Sequence, residues 1–187
     1  MVDFGNAGKW TRALLEAHVK PGSTALDATM GNGHDTLTLA RLVGETGHVY
    51  AFDIQSEALA NTRARLEGAG VSNRVTLILD SHENMASHVQ TAPDTIVFNL
   101  GWLPGAQHKC TTRLETTLKA VNAAIDLLLP GGLMTICVYP GHEEGARELE
   151  ALTLWARSLD DKKYDVISWG YENIKARPPR LIAIAKK

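Results

Sequence analysis

A glycine turn between a short strand and a helix is the feature that most limits what this chain can fold into. Residues 24–28 read as a short apolar strand, Gly31 and Gly33 follow in the turn, and a helix opens at His34 or Asp35. Glycine lets a ligand approach the backbone closely, and such a turn points amide groups and a helix N-terminus at the ligand. The turn therefore predicts a ligand site at the carboxyl end of the first strand.

The second strand adds an acid at an informative distance from this turn. It runs over 48–53 and ends on Asp53, twenty residues after Gly33. A carboxylate at that distance can accept hydrogen bonds from both hydroxyls of a ribose, which indicates a nucleoside cofactor.

The residues around the turn favour one cofactor class over another. A dinucleotide turn has a third glycine where this chain has Thr36, and the acid Asp27 just before the turn would repel a pyrophosphate. The same acid suits the ammonium and sulfonium of S-adenosylmethionine. The motif therefore favours a methyltransferase over a dehydrogenase, and a strand–turn–helix without any ligand stays the alternative.

Length and composition limit the remaining classes. The 187 residues suffice for one domain with a sizeable core and leave no room for a second substrate domain, so we expect a single domain over 1–187. No apolar run is long enough for a membrane span, and the start of the chain lacks the pattern of a signal peptide. Cys110 and Cys137 have no metal-type spacing. We expect a cytoplasmic protein with reduced thiols and neither a metal nor a membrane partner.

Strand and helix patterns alternate along most of the chain. The strands are predicted at 24–28, 48–53, 74–80, 94–99, 133–139, 164–171 and 180–185. The helices are predicted at 7–18, 34–43, 55–69, 112–129 and 143–159. The alternation predicts a parallel doubly wound sheet, but the last two strands are too close for a crossover helix and must form a hairpin. The expected fold is therefore α/β and Rossmann-like, a seven-stranded, mostly parallel sheet with a C-terminal antiparallel hairpin, as in class I methyltransferases.

Ligands in such sheets bind beyond the carboxyl ends of the strands, so these ends predict the site. The polar pair Ser81 and His82 follows the third strand, where an adenine would lie, although Ser81 could instead cap a helix. The predicted cofactor-side residues are Asp27, Gly31, Asn32, Gly33, Asp35, Asp53, Gln55, Ser81 and His82.

The fourth and fifth strands end in two loops that predict the acceptor side. After Asn99 the chain reads Leu-Gly-Trp, where amino-group methyltransferases often have Pro-Pro-aromatic, and the Asn carbonyl can still accept an amine N–H. The loop after Tyr139 brings an imidazole and a carboxylate, although Glu143 could simply begin the next helix. The predicted catalytic residues are Asn99, Tyr139 and His142. The predicted substrate-binding residues of these loops are Trp102, Pro104, Gly105, Lys109 and Glu143.

Five segments together resemble one family. They are Asp-Ala-Thr-Met-Gly-Asn-Gly-His-Asp-Thr at 27–36, Phe-Asp-Ile-Gln at 52–55, Ser-His-Glu at 81–83, Phe-Asn-Leu-Gly-Trp-Leu-Pro-Gly at 98–105 and Tyr-Pro-Gly-His-Glu-Glu-Gly at 139–145. The family is the small bacterial class I methyltransferase group formerly labelled putative rRNA methylase. It is associated with methylation of the tRNA wobble uridine, 5-methylaminomethyl-2-thiouridine. Where the family usually has a further Gly and an acidic or small polar residue before Lys109, this chain has Ala-Gln-His.

The resemblance implies S-adenosylmethionine as the donor, a tRNA anticodon stem-loop as the partner and the 5-aminomethyl nitrogen of uridine 34 as the acceptor. It also implies cofactor contacts from Asn32, Gly33, Asp53, Gln55, Ser81 and His82. An rRNA or small-molecule methyltransferase of the same fold is the alternative, and a non-catalytic nucleoside-binding module is a more remote one. Association into a homodimer stays open.

Such an amine must lose its proton before it can attack a methyl group. Burial against Trp102 and Tyr139 would lower the pKa of the amine, and His142 or Glu143 would pass the proton to water. The acceptor loops place no cysteine where attack on a uridine ring carbon would need one, which favours nitrogen as the acceptor.

Positive charge is concentrated near the C-terminus. Between residues 151 and 187 there are eight Lys or Arg and four Asp or Glu, although the whole chain has a net charge of −2. Lys175, Arg177 and Arg180 are therefore predicted to contact RNA phosphates, and a solvated tail is the alternative.

Overall fold

The computed structural model describes residues 4–101 and 112–187, and its centre is one seven-stranded sheet. The strands are β1 (Thr24–Asp27), β2 (His48–Asp53), β3 (Val75–Leu79), β4 (Thr95–Leu100), β5 (Leu133–Val138), β6 (Tyr164–Trp169) and β7 (Arg180–Lys186). The helices are α1 (Ala7–His18), α2 (His34–Leu42), α3 (Ser56–Gly68), α4 (Met85–His88), α5 (Leu114–Leu127) and α6 (Glu143–Arg157).

The strand order is β3-β2-β1-β4-β5-β7-β6. Pairing is parallel from β3 through β5, whereas β7 runs antiparallel to both of its neighbours, β5 and β6. This confirms the predicted fold class, including the C-terminal hairpin. The order reverses between β1 and β4, and in doubly wound sheets the crevice at the carboxyl side of that reversal is the usual ligand site.

Alternation along the central strands builds a core on each face of the sheet. In β4, Ile96 and Phe98 pack on the face covered by α5 and α6, whereas Val97 packs on the opposite face against α1, α2 and α3. Strands buried on both faces read as nearly continuous apolar runs, which is why β4 and β5 were visible in the sequence. The short helix α4 has no such run and was not predicted.

The helices are short relative to a bilayer. Among the residues that the structure describes, no helix is both long enough and apolar enough to cross a membrane.

Two isoleucines on strands of this sheet provide a matched test of the core. Ile96 is 0% exposed and Ile167, on the edge strand β6, is 60% exposed. Ile96→Ala should lower the free energy of unfolding by about 2–5 kcal/mol, because it removes buried methyl groups and leaves a cavity. Ile167→Ala should cost less than about 1 kcal/mol. Urea unfolding of both variants measures the difference, and equal losses would contradict the described core.

Candidate active site

A cavity of about 800 Å³ opens at the carboxyl ends of the parallel strands. It has two halves. The β1–β3 half is lined by Met30, Gly31, Asn32, Asp53, Ile54, Gln55, Ser81 and His82 among others. The β4–β7 half is lined by Asn99, Gly101, Thr112, Arg113, Thr116, Tyr139, Gly141, His142, Arg177 and Pro179, and Asp35 lies at the boundary between the halves.

The glycine turn is held in place by hydrogen bonds to neighbouring elements. The Gly31 N–H donates to Asp53 Oδ2 at 3.0 Å, and the Thr62 hydroxyl donates to the Gly31 carbonyl at 2.9 Å. Gly33 has φ +76°, and a Cβ there would lie 2.8–2.9 Å from atoms of Thr62. Only glycine fits this position without displacing α3. Gly33 was predicted to contact the cofactor, but it does not line the cavity and instead shapes the turn.

Asp53 organises the end of β2. Its Oδ2 accepts from Gly31, and its Oδ1 accepts from the Gln55 N–H at 3.0 Å. Each carboxylate oxygen has a further lone pair, so Asp53 can accept two more hydrogen bonds from a ligand in the cavity. Two adjacent hydroxyls, as on a ribose, match this acceptor pair.

The structure corrects the expectation that Asp27 contacts the cofactor. Asp27 is 0% exposed and does not line the cavity. Its Oδ2 accepts from the Thr36 hydroxyl at 2.6 Å and its Oδ1 accepts from the Thr29 N–H at 3.1 Å. Burial, and next the nearby Asp35, raise the pKa of Asp27 to about 7. Asp27 thus supports the turn from below, and Thr36, which replaces the third glycine, is its partner.

Ser81 and His82 lie on the wall next to β3. His82 is buried, its ring contacts Phe98 edge-on at 6.0 Å between centroids, and burial lowers its pKa, so the imidazole is neutral at pH 7. The carboxylate of Asp80 accepts from the Ser81 N–H and the Asn84 amide and bonds the ring of His88. Asp80 thereby fixes the turn that presents Ser81 and His82.

Ile54 completes this wall with an apolar surface. It is 57% exposed although it lies between two polar cavity residues, Asp53 and Gln55. An exposed isoleucine beside a ribose-type acceptor offers a face on which a planar base can pack.

A polar network lies at the boundary between the two halves. The Asn99 side-chain amide donates to Asp35 Oδ2 at 3.2 Å and also bonds the phenol oxygen of Tyr139. The Asn99 backbone N–H donates to the Thr29 hydroxyl at 2.7 Å. Burial raises the pKa of Asp35, and a bound cation would lower it again. The network therefore presents a carboxylate, an amide oxygen and a phenol to a cationic ligand.

Cys137 lies below Tyr139 and does not line the cavity. It is buried against Ala7 and Leu181, and burial raises the pKa of its thiol to about 12. A thiol of that kind is not a nucleophile at neutral pH.

The structure also corrects the expected role of His142 in proton transfer. Its Nδ1 accepts from the Gly145 N–H at 3.0 Å, which caps the N-terminus of α6. The Nδ1 lone pair is therefore engaged with the backbone of α6. Glu143 begins α6, is exposed and does not line the cavity. Neither residue is placed to take a proton from an acceptor.

The three predicted basic residues are not equivalent. Arg177 lines the cavity and has φ +49°, a conformation that non-glycine residues rarely adopt. Arg180 instead pairs with Glu172 at 3.0 Å, and Lys175 is exposed and away from the cavity. Of the three, Arg177 is thus the residue that lines the cavity, and the RNA contacts of Lys175 and Arg180 stay predictions.

Four of the predicted acceptor residues, Trp102, Pro104, Gly105 and Lys109, lie outside the described residues. The cavity lining also includes residues that were not among the predicted site residues, for example Thr29, Ile54, Thr112, Arg113 and Thr116. Ile54 could have been found, since an apolar residue directly after a strand-end acid has no core to enter. Within residues 4–101 and 112–187 there is no cluster of metal-ligating side chains.

The architecture and the strand-end cavity define a class I methyltransferase fold. In solved structures, the chain is similar over the full length of both chains to a putative rRNA methylase from Clostridium thermocellum, with 39% identity and a TM-score of 0.96. It is similar over the same extent to a putative methyltransferase from Streptococcus mutans in complex with SAH, with 34% identity and a TM-score of 0.89.

A protein-family model described as "Putative rRNA methylase" matches residues 49–185, and the chain belongs to this family of S-adenosylmethionine-dependent methyltransferases. Among curated proteins, it is 38% identical over 156 residues to the chloroplastic tRNA (mnm(5)s(2)U34)-methyltransferase of Arabidopsis thaliana. That match covers 78% of this chain and 57% of the plant protein, so the chain spans little more than half of its relative's length.

The β1–β3 half can be tested through the cofactor product. Asp53→Ala should weaken binding of S-adenosylhomocysteine by about 1.5–3 kcal/mol, because charge-assisted hydrogen bonds to the ribose are lost. Asp126→Ala, at an exposed position on α5, is the matched control and should leave the affinity unchanged. Titration calorimetry measures both variants, and an unchanged affinity in folded Asp53→Ala would remove Asp53 from the site.

The raised pKa of Asp27 predicts a pH-dependent stability. Between its ordinary value of 3.8 and about 7, the folded state binds more protons at Asp27 than the unfolded state does. The contribution of Asp27 to the free energy of unfolding therefore falls as the pH rises through this window. Asp27→Asn, which has no carboxyl to ionise, should therefore gain stability relative to the native protein between pH 5 and pH 8.

Urea unfolding at both pH values measures the stability difference between Asp27→Asn and the native protein. Asp126→Asn is the exposed control. An equal difference between variant and native protein at the two pH values would show that Asp27 is ionised throughout.

Proposed function

We propose that this protein transfers a methyl group from S-adenosylmethionine to the 5-aminomethyl nitrogen of 2-thiouridine at wobble position 34 of tRNA. The observation that carries the proposal is the juxtaposition of a ribose-type acceptor, Asp53, with a second polar centre, Asp35, Asn99 and Tyr139, in one cavity. The name of the Arabidopsis relative supports this acceptor, and the description of the family model supports an RNA substrate in general.

The β1–β3 half fits the cofactor. Asp53 would accept from the ribose hydroxyls, Ile54 would pack on the adenine, and Ser81 and His82 would border its edge. Gly31 and Asn32 bring backbone close to the ligand, and the carboxylates beneath the turn suit a cationic ligand but oppose a pyrophosphate. When bound, S-adenosylmethionine supplies an electrophilic methyl group on a sulfonium.

The β4–β7 half fits an alkyl amine. Asp35 and the Asn99 carbonyl would bind the ammonium form, and the Tyr139 phenol would border it. Enclosure of the amine lowers its pKa, so that Asp35 or water can take the proton and the nitrogen lone pair becomes available. The nitrogen–methyl bond then forms as the methyl–sulfur bond breaks, and the sulfur keeps the electron pair.

Cys137, the cysteine within the described part of the chain, offers no nucleophile for methylation of a uridine ring carbon. Methylation of a uridine ring carbon by way of nucleophilic attack on C6 would use a thiolate in the cavity. Among the described cavity residues there is no cysteine, and Cys137 lies below Tyr139 with a raised pKa.

The rim of the cavity has the opposite charge to its floor. Arg113, at the start of α5, and Arg177, before β7, both line the cavity and are exposed. Guanidinium groups at the mouth would bind phosphates of the RNA backbone, while the acidic floor receives the amine. We extend the proposal to an anticodon stem-loop as the partner and the cytoplasm as the compartment.

A second candidate is methylation of rRNA or of a small molecule by the same cavity. The description of the matching family model favours rRNA.

The test is a transfer assay with methyl-labelled S-adenosylmethionine. The acceptors are tRNA that contains 5-aminomethyl-2-thiouridine, the same tRNA without the aminomethyl group, and ribosomal subunits. Mass spectrometry of the digested nucleosides should show one added methyl on the aminomethyl uridine and none in the other two samples. Label in the rRNA alone would support the second candidate and overturn the first.

The two rim arginines predict a change in the salt dependence of RNA binding. The double variant Arg113→Ala, Arg177→Ala should weaken tRNA binding and reduce the slope of log K against log salt by roughly 1 to 2, since two phosphate contacts are lost. Its affinity for S-adenosylhomocysteine should not change. Fluorescence anisotropy over a salt series measures the slope.

The charge-matched control replaces two exposed arginines that do not line the cavity, Arg63 and Arg157. If both double variants change the slope equally, the RNA contacts a different surface.

A further inference from the structure

Two carboxylates of α6 hold the wall of the β4–β7 half. Glu148 is buried at 1% exposure, and its two oxygens accept from two threonine hydroxyls, Thr112 at 2.9 Å and Thr117 at 2.7 Å. One turn earlier, Glu144 accepts from the Leu114 N–H at 3.0 Å. The first turn of α5 is thus bound to α6 by side chains rather than by its own cap, since Arg113 at the N-cap position makes no side-chain cap bond.

The threonine pair divides the network into a cavity side and a core side. Thr112 lines the cavity, and its N–H donates to the Gly101 carbonyl at the end of β4 at 3.3 Å. Thr117 is 0% exposed and does not line the cavity. Glu148 therefore connects a cavity residue to the buried face of α5.

The same helix also reaches the cavity at its N-terminus, because His142 caps α6 and lines the cavity. A buried carboxylate is a costly way to join two helices, because apolar residues of the same volume would pack there without a desolvation penalty. Its oxygens do, however, fix the direction of both threonine hydroxyls, which apolar contacts do not.

We propose that Glu148 is a positioning residue for the methyl acceptor: it sets the place of Thr112 and of the first turn of α5, and thereby the width of the acceptor wall. Glu144 assists it through Leu114. The inference rests on the proposed function, in which the β4–β7 half receives the acceptor.

Two near-isosteric variants separate positioning from packing. Thr112→Val and Thr117→Val each remove one hydroxyl bond to the same carboxylate, one on the cavity side and one on the core side. Thr112→Val should raise the KM for the aminomethyl-uridine tRNA by about tenfold, the factor for a loss of about 1.4 kcal/mol. Thr117→Val should lower the melting temperature at least as much as Thr112→Val does. It should nevertheless leave the KM for this tRNA within about twofold of the native value.

Further variants and the cofactor product complete the test. Glu148→Gln keeps the shape and one acceptor oxygen, so it should retain a KM closer to that of the native protein than Glu148→Ala does. S-adenosylhomocysteine affinity should stay unchanged in Thr112→Val. Equal KM values for the two threonine variants would reduce Glu148 to a packing role, and a parallel loss of cofactor affinity would assign the wall to the cofactor.

An acceptor-free measurement keeps this inference separate from the proposed function. In the complex with S-adenosylhomocysteine, Thr112→Val should speed hydrogen exchange of the amides over 112–116, and Thr117→Val should do so less. If the native protein methylates no tRNA but the exchange difference is present, the acceptor is wrong and the positioning holds. If exchange over 112–116 is the same in Thr112→Val and the native protein, the positioning is wrong.

Discussion

The two hydrogen bonds from backbone amides to the carboxylate of Asp53 are the interaction on which the site depends. One comes from Gly31 in the turn after β1 and the other from Gln55 at the start of α3, so a single side chain joins the ends of two adjacent strands. The turn can take this path because Gly33 accepts a positive φ that brings it against Thr62. Without this junction, the cavity would lose the wall on which its ribose-type acceptor stands.

Charge is sorted by depth in the cavity. Carboxylates lie at and below the floor, where burial raises the pKa values of Asp27 and Asp35, and exposed arginines lie at the rim. A cationic donor and an amine acceptor suit the floor, whereas a polyanionic backbone suits Arg113 and Arg177 at the mouth. An RNA that carries an aliphatic amine is a substrate that would use both regions at once, which a neutral small molecule would not.

The sequence predicted the sheet well because buried parallel strands leave apolar runs and the hairpin has too few residues for a crossover. It located the ends of the strands for the same reason, and with them several of the residues that line the β1–β3 half. It could not show that Asp27 accepts a hydrogen bond from Thr36 or that His142 accepts one from Gly145. Both contacts depend on side-chain orientation in the folded protein. No sequence motif pointed to Arg113, because its place at the rim follows from the packing of α5 on α6.

The most direct test of this account is a crystal structure with S-adenosylhomocysteine and the nucleoside 5-aminomethyl-2-thiouridine bound together. Both ribose hydroxyls of the cofactor product should lie within hydrogen-bond distance of Asp53, about 2.6–3.2 Å. The aminomethyl nitrogen should lie at the same distance from Asp35 or Asn99 and face the sulfur. A cofactor product seated outside the β1–β3 half, or an amine that points to the rim arginines, would contradict this account.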